Sequence, residues 1–565
     1  MCGIGGVFIK KGGPPHHGAL NKMCMALHSR GPDGDGVYTD QSIGLVHTRL
    51  SIIDSEGGHQ PMISPKGAVL VFNGEIYNYV EIRNTLKDLY PFQTKSDTET
   101  ILALYDVYGL DFVNHLRGMY AIGLYDPTKN RLVIARDPFG IKPLYITDIP
   151  SHVAFASEPK ALIQSGYASD TIDISALRSV VVQNYIPGVR SPYPAIQRLQ
   201  PGEILVYEHG IKVSSSVRPS ISHAPPRIED EETALLHLEK TLIDCVDVHC
   251  RSDVGYGIFL SGGVDSSTIT QVLSMIGKQR SPDRAIQSYT AYFDIAGSSD
   301  ERSYAKAVAD STHAHLHEVP FGKQDFISLL PQIAAYMDDP VADYAILPTW
   351  KLAAVAAKEQ KVVLCGEGGD ELFAGYGRYR HRWWKEWRKR KKAFSDIKSP
   401  HWSRLQREQA NDIGEYLPND LLIKLDTCLM AHGLEGRTPF LDQSMSEFAF
   451  TLPDNLKLDG KTGKYLLKKW LDSKLPESKP FRKKQGFTVP VGHWMCEDAR
   501  NLSDVMIHHP LITELLSRSD LDLIPKLMPT IEGAKQCWPL LYLALWYTGK
   551  QKNGHTPHII ETLDS

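Results

Sequence analysis

The sequence lacks the features that mark membrane, secreted or nucleic-acid-binding proteins. No apolar run is long enough to cross a bilayer, and the N-terminus has neither the basic leader nor the apolar segment of a signal peptide. The 62 basic and 66 acidic residues nearly balance, giving a net charge of −4. This balance gives no electrostatic reason to expect nucleic acid or an anionic membrane as a partner. We therefore expect a cytoplasmic protein that binds neither.

Cysteine is also sparse. The eight cysteines are scattered without a disulfide framework, and only Cys245 and Cys250 lie close together, with no second pair to complete a zinc site. The rest of the composition is that of a globular protein. Because 565 residues exceed what one hydrophobic core supports, we expect at least two domains.

A glycine-rich turn stands near the middle of the chain. The apolar run Tyr256 to Leu260 is typical of a buried strand, and Ser261-Gly262-Gly263-Val264-Asp265-Ser266-Ser267 leads from it into a helical pattern. Glycines let the backbone approach an anion, and the start of a helix presents unpaired N–H groups. The turn has no Walker lysine, so a metal or another residue must neutralise a bound phosphate. The alternative interpretation is a plain structural turn.

The pattern around this turn predicts a doubly wound parallel sheet, because short apolar strands alternate with helices from Thr233 onward. Ligands collect at the C-terminal ends of such strands, so the turn and the loop Cys365 to Phe373 should face one crevice. Asp265 and Asp370 then offer hard oxygen ligands for Mg²⁺. The predicted strands are Tyr256 to Leu260, Ile286 to Phe293, His315 to Val319 and Lys361 to Cys365, and the predicted helices are Thr233 to Cys250, Ser267 to Ile276, Glu301 to Thr312 and Leu347 to Glu359.

The first two hundred residues have a different pattern, in which strands alternate with turns and helices are few. This favours an α+β layered domain, with Glu203 to Tyr207 as its last strand. The segment Glu208 to Glu232 is rich in serine, proline and charge, which is typical of an exposed linker. We therefore predict a domain over residues 1–208, a linker over 209–232, and a second domain over 233–565 with an added helical C-terminal part.

Cys2 is the first candidate catalytic residue. Removal of Met1 would leave a thiol and a free α-amine on one residue, so that nucleophile and base are joined. With Cys2, five blocks in fixed order resemble the class II glutamine amidotransferases, whose glutaminase domain is of the N-terminal-nucleophile type. The blocks are Ser29 to Gly34, His47 to Asp54, Phe72 to Asn78, Ser96 to Glu99 and Arg136 to Tyr145.

This resemblance implies a set of glutamine-binding residues. Arg49 would hold the α-carboxylate and Asp97 the α-ammonium. Asn73 and the backbone of Gly74 would donate to the oxyanion, and Ile53 and Glu75 lie in the same substrate-lining segments. The competing interpretation is a solvated surface pair for Arg49 and Asp97, and a hairpin turn for Asn73-Gly74.

The second half resembles the synthetase domain of the asparagine synthetase family, and the order glutaminase then synthetase is that of the family. The resemblance assigns Glu367 to forming and breaking an acyl-adenylate, and Lys464 to meeting phosphate charge in the transition state. It implies ATP and Mg²⁺ as cofactors, with Asp265 and Asp370 at the metal. The residues expected to bind ATP are Leu260, Ser261, Gly262, Gly263, Asp265, Ser266, Ala291, Cys365 and Gly366.

The implied activity is a relay in which Cys2 releases ammonia from glutamine, and aspartate activated by ATP receives it to give asparagine and AMP. Neutral ammonia requires a dry passage, and Arg30 and Met119 occupy motif positions that flank it in the family. A homodimer is the assembly we expect.

Two alternatives stay open: an amidotransferase acting on another carboxylic acid, and a sensor without catalysis. Tyr344 stands where many asparagine enzymes carry a smaller residue, and β-lactam synthetases use a tyrosine-glutamate pair near their active site. Those enzymes have lost the glutaminase chemistry, whereas Cys2, Arg49, Asn73 and Asp97 are present here.

The run Arg378 to Lys392 interleaves aromatic and basic residues, which could bind RNA or a membrane surface. We favour an amphipathic helix with inward tryptophans and exposed bases.

Overall fold

The structure is a computed structural model that describes residues 2–11, 13–226, 230–280, 285–293, 295, 301–380, 399–483 and 489–551. The N-terminal part contains strands β1 (Gly3–Ile9), β2 (Gly34–Thr39), β3 (Ile43–Arg49), β4 (Met62–Ile63), β5 (Val69–Ile76), β6 (Gly118–Asp126), β7 (Arg131–Arg136), β8 (Tyr145–Asp148), β9 (His152–Ala156), β10 (Gln197–Arg198), β11 (Glu203–Glu208) and β12 (Ile211–Val217). Its helices are α1 (His17–Leu27), α2 (Tyr79–Leu86), α3 (Thr98–Tyr108), α4 (Pro159–Gln164) and α5 (Ile174–Gln183).

These strands form two antiparallel sheets stacked face to face. One has the order β10-β8-β9-β1-β3-β2 and the other β12-β11-β7-β6-β5-β4. Strand alternation explains the layers: Ile4 and Phe8 of β1 enter the core between the sheets, whereas Val7 packs on the other face with Leu20 and Met23 of α1. Helices α2 and α3 cover the outer face of the second sheet. The predicted layered sheet domain is confirmed.

Strand β12 corrects the prediction that Glu203 to Tyr207 is the last strand. Residues Ile211–Val217 pair antiparallel with β11, within the segment predicted to be linker. All seven residues of this edge strand are exposed. Ile211, Val213 and Val217 alternate with polar residues, but this short pattern lies in a segment whose serine, proline and charge favour a linker.

The second part alternates strands and helices as predicted. Its strands are β13 (Tyr256–Phe259), β14 (Gln287–Phe293), β15 (His315–Phe321), β16 (Val362–Leu364), β17 (Glu435–Arg437), β18 (Leu458–Asp459) and β19 (Thr462–Gly463). Its helices are α6 (Glu231–His249), α7 (Val264–Arg280), α8 (Arg302–Thr312), α9 (Lys323–Tyr336), α10 (Ile346–Ala356), α11 (Gly369–Leu372), α12 (Arg404–Asn411), α13 (Leu422–Met430), α14 (Gln443–Thr451), α15 (Asp454–Lys457), α16 (Tyr465–Lys474), α17 (Val491–Glu497), α18 (Ala499–His508), α19 (Pro510–Leu515), α20 (Arg518–Leu521), α21 (Ile524–Leu527) and α22 (Ile531–Gln551), with a π-helix at Asp412–Leu421.

Five of these strands form a wholly parallel sheet in the order β15-β14-β13-β16-β17, which confirms the predicted doubly wound fold. Helices α17 to α22 build the added helical part, and α5 from the N-terminal part packs against α19 and α22 in the same core. None of the described helices is long and apolar enough to span a membrane. Of the run Arg378 to Lys392, residues 381–392 lie outside the described part of the chain, so the amphipathic helix stays a prediction.

Candidate active sites

Cys2 lies buried at the start of β1, against the middle of β5. Its backbone N–H donates to Oδ1 of Asn73 over 3.0 Å. The Nδ2 group of Asn73 is buried and has no acceptor among the residues that the structure describes. Gly74 has φ of +155°, and a Cβ there would lie 2.0 Å from the carbonyl oxygen of Met119. Asn73 and Gly74 are thus held inside a strand beside Cys2, which excludes the hairpin-turn interpretation.

Arg49 and Asp97 are buried near this cysteine, so they are not a solvated surface pair. Arg49 donates to the carbonyl oxygens of Ser55 over 2.8 Å and Asp54 over 2.5 Å, which fixes its guanidinium at the end of β3. Asp97 begins α3 and accepts N–H bonds from Ile76 over 3.0 Å and Thr98 over 2.8 Å. The loop that holds the guanidinium also carries Ile53, a buried residue.

Burial sets the protonation of this pocket. It raises the pKa of Asp97 to about 6 despite the two N–H bonds that this carboxylate accepts. Burial also raises the pKa of the Cys2 thiol, whereas the positive chain amino terminus and an N–H bond from Leu50 lower it. A buried thiol of this kind needs a base close by to become a nucleophile.

The phosphate-type turn leads from β13 into α7 as predicted. Gly262 has φ of +73°, and a Cβ there would lie 2.6 Å from the backbone nitrogen of Ala305. The hydroxyl of Ser261 accepts the N–H of Gly263 over 3.2 Å and lies 3.2 Å from the hydroxyl of Ser266. The turn is therefore already ordered around a concave backbone, which suits an anion.

The loop after β16 faces this turn. Lys464 stands between the two loops: its Nζ is 2.7 Å from Oδ1 of Asp370 and also bonds Oδ2 of Asp265. Cys365 continues β16 by donating to the carbonyl of Arg437 over 2.8 Å, and Gly366 lies against Asp265. One pocket joins these groups; its lining comprises Ser261, Gly263, Val264, Asp265, Glu301, Asp370, Gly375, Arg380, Gly463, Lys464, Lys468, Pro480 and Arg482.

Three further predicted residues of this half, Leu260, Ala291 and Glu367, are not among the residues that line that pocket. Leu260 is buried and donates to the carbonyl of Tyr289 over 2.9 Å. Ala291 is half-buried on β14. Glu367 is half-buried in the loop after β16, and burial raises its pKa while Lys424 opposes that shift.

Four charged residues that line the pocket are not among the predicted site residues: Glu301, Arg380, Lys468 and Arg482. The sequence pattern places Arg380 in a solvent-facing charged run, and Glu301 at an ordinary helix start. No spacing in the sequence marks either one.

The two carboxylates near Lys464 fit a divalent ion. The carboxylates of Asp265 and Asp370 both contact the ammonium of Lys464, so their oxygens point to the same position. Among the described residues, no group of three or more His, Cys, Asp or Glu could hold a metal alone. Such a site suits Mg²⁺, which accepts one or two carboxylates and takes its other ligands from phosphate oxygens and water.

The two halves meet in buried ion pairs. Arg30 donates to the carbonyl of Cys2 over 3.2 Å, to Glu158 over 3.1 Å and to Asp426 of α13 over 2.8 Å. On the other side of the glutamine pocket, Arg437 of β17 pairs with Glu75 over 3.0 Å. Met119, the other predicted passage residue, is buried on β6 and contacts the core of the second half.

These two sites on two packed sheet systems define a two-part amidotransferase. The asparagine synthase family model matches residues 237–548, and the glutamine amidotransferase domain model matches residues 1–216. The chain is 31% identical to asparagine synthetase [glutamine-hydrolyzing] 1 of Bacillus subtilis, covering 97% of this chain and 96% of that protein. It is also 31% identical to asparagine synthetase B [glutamine-hydrolyzing] of Escherichia coli, covering 87% and 83%. The chain belongs to the asparagine synthase family.

Proposed function

We propose that the protein makes asparagine from aspartate, glutamine and ATP. The observation that carries this proposal is that one chain holds both an intact glutaminase pocket and an intact phosphate turn, joined through the Arg30 to Asp426 pair. The relatives that match over most of the chain are named glutamine-hydrolysing asparagine synthetases.

The glutaminase step follows from the groups around Cys2. After Met1 is removed, the free amine of Cys2 takes the thiol proton, and the thiolate attacks the side-chain amide carbon of glutamine. Arg49 and Asp97 hold the α-carboxylate and α-ammonium. The oxyanion accepts from Nδ2 of Asn73 and the N–H of Gly74. The Cys2 ammonium gives its proton to the amide nitrogen, which leaves as ammonia while the intermediate collapses to a thioester. Water then hydrolyses the thioester to glutamate and restores the Cys2 thiol.

The synthetase step takes place between the two strand-end loops. The β-carboxylate of aspartate attacks the α-phosphorus of ATP, and pyrophosphate leaves into the turn Ser261 to Ser266. Asp265 and Asp370 would hold Mg²⁺, which supplies positive charge to the phosphates. The ammonium of Lys464 stabilises the same negative charge, and Glu367 accepts a proton as ammonia displaces AMP.

Ammonia must reach the acyl-adenylate without meeting water, since protonation removes its nucleophilic lone pair. We propose that Arg30, which bonds the carbonyl of Cys2 and Asp426, and Met119, which packs in the core of the second half, border the passage. We further propose a cytoplasmic location and a homodimer; light scattering coupled to size-exclusion chromatography tests the assembly.

The deciding experiment supplies glutamine, Mg·ATP and aspartate to the purified protein. We expect glutamate, asparagine, AMP and pyrophosphate. Cys2→Ala should abolish glutamine use and leave synthesis from added ammonia intact, because the thiol serves only the first step. Pyrophosphate release with some other carboxylic acid but not with aspartate would contradict the proposed substrate, and glutamine binding without glutamate release would point to a sensor.

A further inference from the structure

A buried ion pair lies beside Glu367 and has no role in the mechanism above. Nζ of Lys424, on α13, is 2.6 Å from Oδ2 of Asp343. Side-chain exposure is 8% for Lys424 and 18% for Asp343, so the pair is removed from bulk water yet not sealed from it. The other carboxylate oxygen of Asp343 accepts the N–H of Ala345 over 2.9 Å, which fixes its direction at the start of α10.

Negative charges outnumber positive charges around this pair. Burial lowers the pKa of the Lys424 ammonium, but Asp343, Asp420 and Glu367 together raise it above its ordinary value. One buried ammonium thus stands among three carboxylates, two of which come from the loop before α10 and from the π-helix. A ligand that brings both a positive and a negative group balances this site better than an anion alone.

Helix α13, which carries Lys424, also contacts the glutaminase half. Lys424 and Asp426 are two residues apart on α13 and therefore project from nearly opposite sides of that helix. Asp426 bonds Arg30, which in turn bonds the carbonyl of Cys2. Lys424 interacts instead with the charge of Glu367, whose carboxylate also interacts with Asp265 in the phosphate turn. One side of the helix thus contacts the ammonia source, and the other carries a charge close to the adenylating loop.

We propose that Asp343 and Lys424 form the subsite that recognises the amino-acid end of the acceptor. Lys424 binds its α-carboxylate and Asp343 its α-ammonium, leaving the side-chain carboxylate directed to the α-phosphorus. This inference rests on the proposed function and adds the two residues that select an α-amino acid over a sugar acid or a plain dicarboxylic acid.

The test removes one charge from the protein and the matching charge from the substrate. Aspartate is compared with 3-aminopropanoate, which lacks the α-carboxylate, and with succinate, which lacks the α-ammonium. Pyrophosphate release is measured with added ammonia, so that glutamine hydrolysis does not limit the rate. In the unaltered protein we expect kcat/KM to fall at least about 100-fold for either analogue, because a polar site left unpaired rejects a ligand strongly.

In Lys424→Met, we expect kcat/KM for aspartate to fall about 100-fold, because the variant lacks the ammonium that binds the α-carboxylate. For 3-aminopropanoate, kcat/KM should change less than about threefold, because this substrate has no α-carboxylate for Lys424 to bind. Asp343→Asn should show the same pattern with succinate. Lys424→Arg should recover part of the aspartate activity. The matched control is Lys351→Met, which breaks a 2.6 Å pair with Asp325 elsewhere in the same half and should leave all three substrates unchanged.

Glutamate release from glutamine, measured for each variant, reports whether the protein has folded. If Lys424→Met keeps the full discrimination against 3-aminopropanoate, the pair is structural and the inference is wrong. If the unaltered protein shows no aspartate-dependent pyrophosphate at all, the proposed function itself fails.

Discussion

At the scale of the residue, one donor of the glutaminase pocket has no acceptor in the part of the chain that the structure describes. Nδ2 of Asn73 is buried without an acceptor among the described residues, and the same side chain holds the N–H of Cys2 through its oxygen. A buried donor without a partner costs about 1–3 kcal/mol. That cost is recovered when an oxyanion forms, so the group contributes more to the transition state than to the ground state.

Asn73→Ala should therefore lower kcat for glutamine hydrolysis about 10²–10³-fold. Ammonia-dependent synthesis should remain unchanged, because Asn73 lies on β5 of the other half. Steady-state assays of glutamate release and of ammonia-driven asparagine formation measure the two effects. A drop of less than about tenfold in the first assay would rule out Asn73 as an oxyanion donor.

Asp97 should give the glutaminase a pH dependence. Its pKa is raised to about 6 by burial, so the carboxylate is ionised above that pH and neutral below it. Only the ionised form attracts the α-ammonium of glutamine. We expect kcat/KM for glutamine to fall roughly tenfold per pH unit below about pH 6. Asp97→Asn should be much less active and should not show this fall in kcat/KM below about pH 6. If kcat/KM of the unaltered protein stays constant across the pKa of Asp97, this carboxylate does not bind the α-ammonium.

At the scale of the element, the turn between β13 and α7 needs glycine at one point. A side chain on Gly262 would combine a positive φ with a contact of 2.6 Å to the backbone of α8. Gly262→Ala should therefore reshape the turn and reduce ATP-dependent synthesis at least about 100-fold, while glutamine hydrolysis persists. Gly277, further along α7, provides the control, because a Cβ added there would meet none of the described residues within 4 Å.

Gly277→Ala should leave synthesis unchanged and stabilise the protein by about 0.5–1 kcal/mol, since alanine favours a helix over glycine. For both variants, pyrophosphate release measures synthesis, and chemical unfolding measures the free energy of unfolding. Equal activity of the two variants would show that the turn does not bind phosphate.

The elements differ in how far the sequence could predict them. Strands β13 to β16 follow from short runs between turns, most clearly β16, whose three apolar residues are all buried as expected in a parallel sheet. Helices α7, α8 and α10 follow from helical periodicity, whereas α9 is not among the predicted helices. Strand β17 has only three residues, and the short alternation of β12 lies in a serine- and proline-rich segment, so neither is recognised as a strand from the sequence. Helix α5 has a clear amphipathic pattern, but no local feature indicates that its partners are α19 and α22, far later in the chain.

At the scale of the whole molecule, the candidate site residues also differ in whether a sequence motif contains them. Cys2, Asn73, Asp97, Asp265 and Lys464 stand in motifs, so the sequence predicts them as candidate site residues. Arg437 and Lys424 act through partners that are distant in sequence, and only folding brings them to Glu75 and Asp343. Motifs contain Arg30 and Glu75, but nothing in the sequence indicates that they pair with Asp426 and Arg437 across the halves.

The buried ion pairs between the halves provide the last prediction. Arg30 bonds Cys2, Glu158 and Asp426, so one buried guanidinium links the glutaminase pocket to α13. Asp426→Asn removes one of its two counter-charges without changing the shape of the side chain. Breaking a buried pair costs about 3–5 kcal/mol, and the relaxation is expected at the seam between the halves.

Both half-reactions should continue in Asp426→Asn, but ammonia should escape at the loosened seam. We expect asparagine formed per glutamine hydrolysed to fall from near one to below one half, measured by quantifying glutamate and asparagine in the same reaction. Glu81→Gln is the control, because it breaks the exposed 2.7 Å pair between Glu81 and Arg251 that also crosses the halves. An unchanged ratio in Asp426→Asn would show that the Arg30 pair holds the halves together without sealing the passage between them.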